Sequence, residues 1–276
     1  MSGEVEAIQA VRRAATVASL TAELAGLTGL TGGVTIVHSS LSALGWVAGG
    51  AHAVVEALLA AVGPTGTLVM PTQSSQLSDP EGWGDPAVPS EWIDEVRDAL
   101  PAYDPHLTTT RSMGAIVECF RSHPDTVRSA HPLTSFAAHG PLAEQIIEPN
   151  AFTPAFGESS PVGRLYQLDA QVLLLGVDHL SNTALHLAEY RAAWEGKVDN
   201  TVGAPMFVDG QRRWVTAPDL DIDESDFGAI GDAFAATGAE LTFPIGNTTA
   251  RLCRVSEIVD FAVTWMNQHR PGSLTD

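Results

Sequence analysis

Two short apolar stretches on either side of a helical pattern most restrict how this chain of 276 residues can fold. Residues 34–37 and 67–70 are largely apolar and contain β-branched side chains, which is typical of short buried strands. Between them, residues 51–62 have the pattern of a helix that ends at Gly63 and Pro64. This alternation of strand, helix and strand predicts the α/β class.

The rest of the chain continues the alternation around one long loop. The further predicted helices are residues 4–27, a short segment near 90–100, residues 114–122, residues 183–194, a segment near 228–237, and residues 256–268. The further predicted strands are residues 171–177, 206–208 and 213–216. Residues from about 73 to 106 are rich in Pro, Ser, Asp and Gly and predict a long loop, which in a compact domain is often functional. Because no repeat or linker interrupts the pattern, we expect a single domain over residues 1–276, with a strand-richer lobe from about residue 200.

The balance of charge limits the possible partners. The sequence contains 33 Asp and Glu against 14 Lys and Arg, which gives a net charge of −19. A surface of this charge repels phosphate groups, so we expect neither nucleic acid nor a membrane as a partner. The same charge would attract a polycationic ligand, although solubility alone also explains it.

Targeting signals and cysteines indicate a cytoplasmic protein. The N-terminal segment lacks the uninterrupted apolar core of a signal peptide. No stretch reaches the roughly 18 apolar residues that a membrane-spanning helix needs. Cys119 and Cys253 lie far apart beside apolar residues, which favours two reduced thiols and leaves one disulfide open. The choice between a monomer and a homodimer is also left open.

A polar segment directly follows the first predicted strand, where α/β proteins often bind ligands. It contains His38, Ser39, Ser40 and Ser42, and it leads into a glycine-rich stretch. Hydroxyl groups and accessible backbone amides of this kind can hold a thioester oxygen or an amide of a pantetheine arm. The alternative is an ordinary polar strand end whose serines cap the next turn. The segment lacks the spacing of a nucleophile elbow.

A second polar segment follows the strand predicted at residues 171–177. If the next residues form a helix, Asn182, His186 and Glu189 share one face, because they are three and four positions apart. A carboxylate beside an imidazole can hold the ring in one tautomer, as expected of a general base. One alternative is an ordinary His–Glu pair on a helix surface. Another is a zinc site of His179, His186 and Glu189, although their spacing matches no zinc motif.

Two further segments carry charge of opposite sign. Arg111, Arg121 and Arg128 lie within eighteen positions of a chain that is poor in basic residues. Arginines together with Ser, Thr and backbone amides suit a phosphorylated cofactor, although a solvated helix face followed by a turn explains them as well. Glu158 lies in a turn before a predicted helix, where it could bind an ammonium group or stabilise the helix N-terminus.

Taken together, segments from the whole chain resemble the aminoglycoside N3-acetyltransferase family, whose fold is distinct from the GNAT fold. The matching segments, in order, are VHSSLSALGWVAGG, GPTGTLVMPT, RSMGAIVECFRSHPDTVRSAHPLTSFAAHG, FGESSPVGRLYQLDAQVLLLG and NTALHLAE. They cover roughly residues 30–265, and the ordered set is much more specific than any one segment. One local departure is Gly32-Gly33, where the family would have a Gly-Asp turn. The resemblance implies an antibiotic N-acetyltransferase-like domain, with a mixed sheet flanked by helices and a variable loop at about 73–106.

The resemblance also implies substrates and residue roles. It implies acetyl-CoA as the donor and the 3-amine of a 2-deoxystreptamine aminoglycoside as the acceptor, and it indicates no metal. His186 looks like the catalytic histidine, with Glu189 beside it. The residues implied for binding the cofactor are His38, Ser39, Ser40, Leu41, Ser42, Met113, Gly114, Arg128, His131 and Ser135. The acidic candidates for the ammonium groups of the acceptor are Asp79, Glu158, Asp178 and Glu189.

These implications give a hypothesis of direct acetyl transfer in a ternary complex. His186, oriented by Glu189, would remove a proton from the amine, and groups at residues 39–42 would stabilise the oxyanion. One alternative is the same transfer to another small amine, such as a biosynthetic amino sugar. A second is a hydrolase or acyltransferase that uses Ser39 or Ser40 as a covalent nucleophile. A third is a non-catalytic acidic module that binds polyamines or antibiotics.

Overall fold

The computed structural model describes residues 2–11, 13–27, 29–84 and 86–270. The strands are β1 (Val34–Ser39), β2 (Thr67–Pro71), β3 (Val127–Arg128), β4 (Phe136–His139), β5 (Gln171–Leu175), β6 (Asp199–Val208), β7 (Gln211–Leu220), β8 (Leu241–Ile245) and β9 (Thr248–Arg254). The helices are α1 (Ser2–Ala10), α2 (Val17–Leu24), α3 (Gly50–Val62), α4 (Ile93–Ala99), α5 (Gly114–Arg121), α6 (Ala143–Ile147), α7 (Pro161–Gln167), α8 (Leu185–Arg191), α9 (Phe227–Ala235) and α10 (Val255–His269). Short 3-10 turns lie at Ser75–Leu77, Pro80–Gly82, Ser90–Trp92 and His179–Ser181.

Seven strands form one mixed sheet in the order β3-β4-β2-β1-β5-β9-β8. At its centre, β1 pairs in parallel with β2 on one side and with β5 on the other. The outer pairs are antiparallel: β2 with β4, β4 with β3, β5 with β9, and β9 with β8. Strands β6 and β7 form a separate antiparallel hairpin.

Apolar side chains on both faces of the central strands explain why helices cover the sheet on both sides. Alternate residues of β5 point to opposite faces, so that Val172 and Leu174 join one core cluster, while Leu173 and Leu175 join the other. Buried side chains of α6 to α10 complete the first cluster, and those of α2, α3 and α5 complete the second. The predicted fold class, a mixed sheet flanked by helices, is therefore confirmed.

The parallel pairing of β1 with β5 places the polar segments that follow them side by side. In this register Ser39, at the end of β1, lies opposite Leu175, at the end of β5. Gly176 then turns the chain with a φ of 70°, a conformation that favours glycine. A Cβ added to Gly176 would lie 2.6 Å from the Cβ of Ala43, so the absence of a side chain lets the two loops approach closely.

The prediction of one continuous helix over residues 4–27 is wrong, because this segment forms two separate helices, α1 and α2. Thr16 is the N-cap of α2, and its hydroxyl accepts a hydrogen bond of 3.1 Å from the amide of Ser19. The hydroxyl of Ser19 in turn accepts one of 3.0 Å from the amide of Thr16. This reciprocal capping box starts a new helix where the apolar spacing alone suggests a continuous one.

Other predicted bounds change as well. The predicted helix at 183–194 is shorter, and the short strands predicted at 206–208 and 213–216 belong to the much longer β6 and β7. Strands β3, β4, β8 and β9 were missed. Part of the strand-rich region expected from about residue 200 therefore belongs to the main sheet, through the pairing of β9 with β5. The short helix expected near 90–100 is confirmed by α4.

The cysteines and the helices add two further findings. Cys119 and Cys253 are free thiols, as the sequence favours. Burial raises the pKa of the Cys253 thiol well above its ordinary value. Across the described ranges, no helix is both long enough and apolar enough to cross a membrane.

Candidate functional site

A cleft of about 290 Å³ opens at the ends of β1 and β5. Its walls come from the ends of the parallel strands, from the start of α5, from the turn before α8 and from the loop before α9. The lining residues that carry chemistry or shape are His38, Ser39, Met113, Phe156, Asn182, His186, Glu224 and Phe227. The cleft thus lies where ligands bind in many α/β proteins, outside the carboxyl ends of parallel strands.

His186, in the first turn of α8, is held by a buried carboxylate. Its Nδ1 lies 2.6 Å from Oε2 of Glu189, and Glu189 is 0 % exposed. The other carboxylate oxygen accepts hydrogen bonds of 2.8 Å from Arg270 and from the amide of Asp223. Because a carboxylate accepts, Nδ1 of the neutral ring carries the proton and Nε2 is left as a basic nitrogen. No described residue forms a hydrogen bond with this Nε2.

Two aromatic rings fix the plane of the His186 imidazole. Phe156 stacks on it with ring centroids 4.5 Å apart and an interplanar angle of 23°. Phe227 contacts it at 5.0 Å with an angle of 59°. Both phenylalanines are buried and also line the cleft. They position the imidazole and keep much of the bulk water away from it.

Two polar groups at the end of β1 are buried in the cleft wall without partners. Nε2 of His38 and Oγ of Ser39 have no hydrogen-bond partner among the described residues. Burial, reinforced by the nearby His179 and His186, lowers the pKa of His38 to about 3. His38 therefore remains neutral at physiological pH, and it offers a hydrogen bond rather than a charge.

The rest of the loop predicted to face the cofactor lies beside the cleft rather than in its wall. The hydroxyls of Ser40 and Ser42 bond to each other at 3.1 Å, and Leu41 packs against the core. At the start of α5, Met113 lines the cleft, and Gly114 has a φ of 85° with open space around it. Among these residues, His38, Ser39 and Met113 thus reach the cleft.

The predicted cofactor residues farther along the chain have internal partners. Arg128 donates to Thr72, Ser135 and the carbonyl oxygens of Pro105 and Thr108. This arginine therefore ties the long loop to the sheet. His131 accepts the amides of Leu133 and Thr134 at its Nδ1, while its Nε2 donates to the carbonyl of Phe152 at 3.0 Å. Burial lowers the pKa of His131 to about 4.

The acidic residues predicted for the acceptor do not line the cleft. Asp79 accepts two hydrogen bonds from Arg97, at 2.8 and 3.2 Å. Glu158 accepts two from Arg191, at 2.6 and 2.9 Å. Asp178 accepts the amide of Leu180 at 3.0 Å, and Glu189 lies behind His186. Glu224, in the loop before α9, is the single acidic side chain that lines the cleft in the described part of the chain.

The zinc alternative fails on geometry, because the two histidines face different carboxylates. Nε2 of His179 lies 2.6 Å from Glu240, whereas His186 faces Glu189. Within the described ranges, no group of three or more His, Cys, Asp or Glu side chains could hold a metal ion.

Several residues of the site were missed by the sequence analysis. Arg270 and Glu240 come from distant parts of the chain, and no local spacing connects them to the histidines. Phe227 and Glu224 also approach through tertiary packing. The sequence analysis placed Asn182 on the same helix face as His186, but it predicted no binding role for it.

A protein family matches most of the chain. The family model described as aminoglycoside 3-N-acetyltransferase matches residues 36–267. The SPbeta prophage-derived aminoglycoside N(3')-acetyltransferase-like protein YokD of Bacillus subtilis (strain 168) is 46% identical over 235 residues, which cover 85% of this chain and 86% of the relative. Aminoglycoside N(3)-acetyltransferase VII of Streptomyces paromomycinus is 34% identical over 257 residues, which cover 86% of each protein.

Solved structures share the fold over nearly the whole chain. The crystal structure of the YokD protein from Bacillus subtilis superposes with a TM-score of 0.91 and 42% identity, covering 94% of this chain and 95% of that one. AAC-IIIb in a binary complex with CoASH has a TM-score of 0.83 and 30% identity, with coverages of 96% and 100%. AAC-VIa bound to sisomicin has a TM-score of 0.82 and 31% identity, with coverages of 92% and 98%.

Proposed function

This chain belongs to the aminoglycoside 3-N-acetyltransferase family, and we propose that it transfers an acetyl group from acetyl-CoA to the 3-amine of a 2-deoxystreptamine aminoglycoside. Relatives with the same fold support both substrates, since AAC-IIIb is solved with CoASH and AAC-VIa with sisomicin. The observation that carries the proposal is the 2.6 Å contact between His186 and buried Glu189 in the wall of the cleft. It supplies a proton acceptor of fixed tautomer beside a cavity.

In the proposed reaction, His186 is the general base of a ternary complex. Its Nε2 takes a proton from the acceptor amine as the amine nitrogen attacks the carbonyl carbon of the thioester. The C–N bond forms, the C–S bond breaks, and the proton on Nε2 passes to the leaving thiolate. Glu189, held by Arg270 and the amide of Asp223, keeps the other ring proton on Nδ1.

The unpartnered polar atoms at the end of β1 support an acyl donor in the cleft. Burying Ser39 Oγ and His38 Nε2 without partners costs free energy, and a ligand that bonds to them recovers part of it. We assign Ser39 to the thioester oxygen and His38 to an amide of the pantetheine arm. Met113 and Gly114 would line the channel beside them.

The proposal is tested by measuring thiol release from acetyl-CoA with gentamicin, tobramycin, kanamycin, neomycin and simple amino sugars. We expect turnover with the aminoglycosides and, by mass spectrometry and NMR, acetylation at the 3-amine. His186→Ala should abolish most of the turnover, whereas His52→Ala, on the exposed face of α3, should retain it. Binding of CoA without turnover of any aminoglycoside would exclude aminoglycosides as the acetyl acceptor. The absence of both CoA binding and turnover would overturn the proposal.

The same transfer to a small amine of lower charge is a second candidate, favoured by the surroundings of the acidic residues. Asp79 and Glu158 are already paired with arginines, so they are poorly placed to receive additional ammonium groups. Glu224 alone would contribute a carboxylate to the cleft in the described ranges. Turnover of amino sugars in the same panel, without turnover of aminoglycosides, would favour this candidate.

Two other classes of function have less support. A covalent serine mechanism needs a base within hydrogen-bond reach of the nucleophile. Ser39 Oγ has no partner among the described residues, and Ser40 bonds to Ser42. A burst of thiol release before acceptor is added would favour this mechanism. Binding of aminoglycosides without any acetylation would instead favour a non-catalytic binding module.

A further inference from the structure

A second buried histidine lies next to the cleft and has partners at both ring nitrogens. His179 follows β5, and its Nε2 lies 2.6 Å from Oε2 of Glu240. The side chain of Glu240 is 1 % exposed, and its other oxygen accepts a hydrogen bond of 2.8 Å from Arg251 on β9. Nδ1 of His179 lies 3.1 Å from Nδ2 of Asn182. Although burial opposes it, the hydrogen bonds from His179 and Arg251 keep the pKa of Glu240 below its ordinary value.

The backbone fixes the direction of the hydrogen bonds from Asn182 to His179 and from His179 to Glu240. The amide of Ala184 donates to Oδ1 of Asn182 at 3.1 Å, so the carbonyl end of the side chain must face Ala184. The amide nitrogen of Asn182 therefore faces His179 and donates to Nδ1. The neutral His179 ring then carries its proton on Nε2 and donates it to Glu240. The histidine can adopt no other neutral tautomer without losing one of these bonds.

Asn182 has one hydrogen-bond donor more than this group uses. Its side-chain nitrogen carries two protons, and a single protein partner, His179, faces it within the described ranges. Asn182 is 0 % exposed, and it lines the cleft. The unpartnered hydroxyl of Ser39, at the end of β1, belongs to a residue that lines the same cleft. Two polar groups with unused hydrogen-bonding capacity thus line the same cleft, outside the ends of β1 and β5.

We propose that Asn182 donates its second amide N–H to the thioester carbonyl oxygen, and that His179, Glu240 and Arg251 are positioning residues that hold this amide in place. The inference rests on the proposed acetyl transfer and adds a second oxyanion donor to Ser39. As the amine attacks and the C–S bond weakens, the negative charge develops on that oxygen. A donor that is already oriented stabilises it without reorganisation, which is how oxyanion holes act.

Asn182→Asp tests the donor directly. The substitution keeps an oxygen that can accept the amide of Ala184, but it has no amide N–H to offer. We expect kcat to decrease about 10²–10³-fold, the usual effect of removing one oxyanion donor, with little change in the Kd of CoA. Asn267→Asp is the matched control, because Asn267 also accepts a backbone amide, that of Ala193, away from the cleft. It should keep wild-type turnover.

A spectroscopic measurement separates this role from a purely structural cap. The infrared carbonyl stretch of bound acetyl-CoA, labelled with ¹³C at the carbonyl, should lie at lower frequency in the wild type than in solution. Asn182→Asp should lose much of this shift, and Asn267→Asp should keep it. An unchanged kcat, or a decrease in kcat with an unchanged carbonyl frequency, would overturn the proposal. Failure of the wild type to bind acetyl-CoA would overturn both this proposal and the proposed function.

Glu240→Gln tests the positioning residues. We expect kcat to decrease about tenfold, the KM for the acceptor to stay nearly constant, and the carbonyl shift to become smaller. Asp169→Asn is the control, because it removes an exposed carboxylate that pairs with Arg254 on the same strand as Arg251. Wild-type kcat and carbonyl frequency in Glu240→Gln would exclude the positioning role. If Glu240→Gln fails to fold, Asn182→Asp still decides the proposal.

Discussion

Two groups of the same residue types lie beside the cleft, His186–Glu189–Arg270 and His179–Glu240–Arg251. In both, the histidine contacts one oxygen of a buried glutamate at 2.6 Å, and the arginine donates to the other at 2.8 Å. The groups differ in the ring nitrogen that faces the glutamate, Nδ1 in His186 and Nε2 in His179. As a result His186 has a basic nitrogen that no described residue contacts by a hydrogen bond, whereas both nitrogens of His179 are occupied.

The comparison shows that the residue types and their pairing do not by themselves determine the chemical role of a histidine. In our proposal His186 transfers a proton because its Nε2 is available, and His179 orients Asn182 because its Nδ1 is not. The arginines differ as well. Arg270 is 6 % exposed and Arg251 is 32 % exposed, so the first ion pair is shielded from solvent much more strongly.

Substitution of His186, the proposed base, should give the largest decrease in kcat and so distinguish the two groups most clearly. His186→Ala should lower kcat about 10²–10⁴-fold, because general-base catalysis contributes about that much. Steady-state thiol release measures it, with CoA binding as a check that the cleft is intact. Activity within a few-fold of wild type would exclude His186 as the base.

Substitution of Arg270 and of Arg251 should change the free energy of unfolding by different amounts. Arg270→Met should lower the free energy of unfolding by about 3–5 kcal/mol, because it leaves Glu189 without its charged partner in the interior. It also breaks the bonds of Arg270 to Asp226. Arg251→Met should cost about 1 kcal/mol, since this pair is partly exposed. Urea denaturation measures both, and equal losses would mean that burial does not distinguish the two pairs.

His38, which lies near both groups, should lower the free energy of unfolding in acid. The pKa of His38 falls from its ordinary 6.5 to about 3, first because of burial and then because of His179 and His186. Below pH 6.5 the unfolded chain therefore binds a proton that the native protein does not, and the free energy of unfolding decreases by about 1.4 kcal/mol per pH unit. This stability is fully present above pH 6.5 and is lost progressively towards pH 3.

His38→Asn should make this decrease shallower. The residual slope includes His131, whose pKa is also lowered by burial, to about 4. His52→Asn, which replaces a histidine whose side chain is 71 % exposed, is the control for the same substitution outside the core. Urea denaturation between pH 4 and pH 7 measures all three proteins, and parallel curves for His38→Asn and the wild type would contradict the assignment.

Added salt should have the smallest effect of these tests. It should weaken interactions of exposed charges and leave the buried ion pairs nearly unchanged. In a chain of net charge −19, the KM for a polycationic acceptor should rise about two- to fivefold as ionic strength increases, while kcat changes little. The stability loss in Arg270→Met should persist at high salt, because its ion pairs are buried. A KM that does not respond to salt would leave the charge as a contribution to solubility.

Local patterns in the sequence were sufficient for the centre of the fold and for one of the two groups. Strands β1, β2 and β5 and helix α3 follow from short-range apolar patterns, because a strand buried on both faces or a helix on one face imposes them. His186 and Glu189 could be paired because residues three apart on a helix are neighbours. The capping box at Thr16 was present in the sequence but was outweighed by the apolar spacing of residues 4–27.

The tertiary structure alone decided the rest, because the contacts involved join distant segments. His179 and Glu240 are 61 positions apart, and Glu189 and Arg270 are 81 apart, so no local spacing pairs them. The same holds for Arg97 and Arg191, which engage two acids expected to receive the acceptor. The sequence by itself therefore determined the fold class, the family resemblance and the candidate base. Packing decided which nitrogen, amide and carboxylate face the cleft, since those directions depend on long-range contacts that a one-dimensional pattern does not contain.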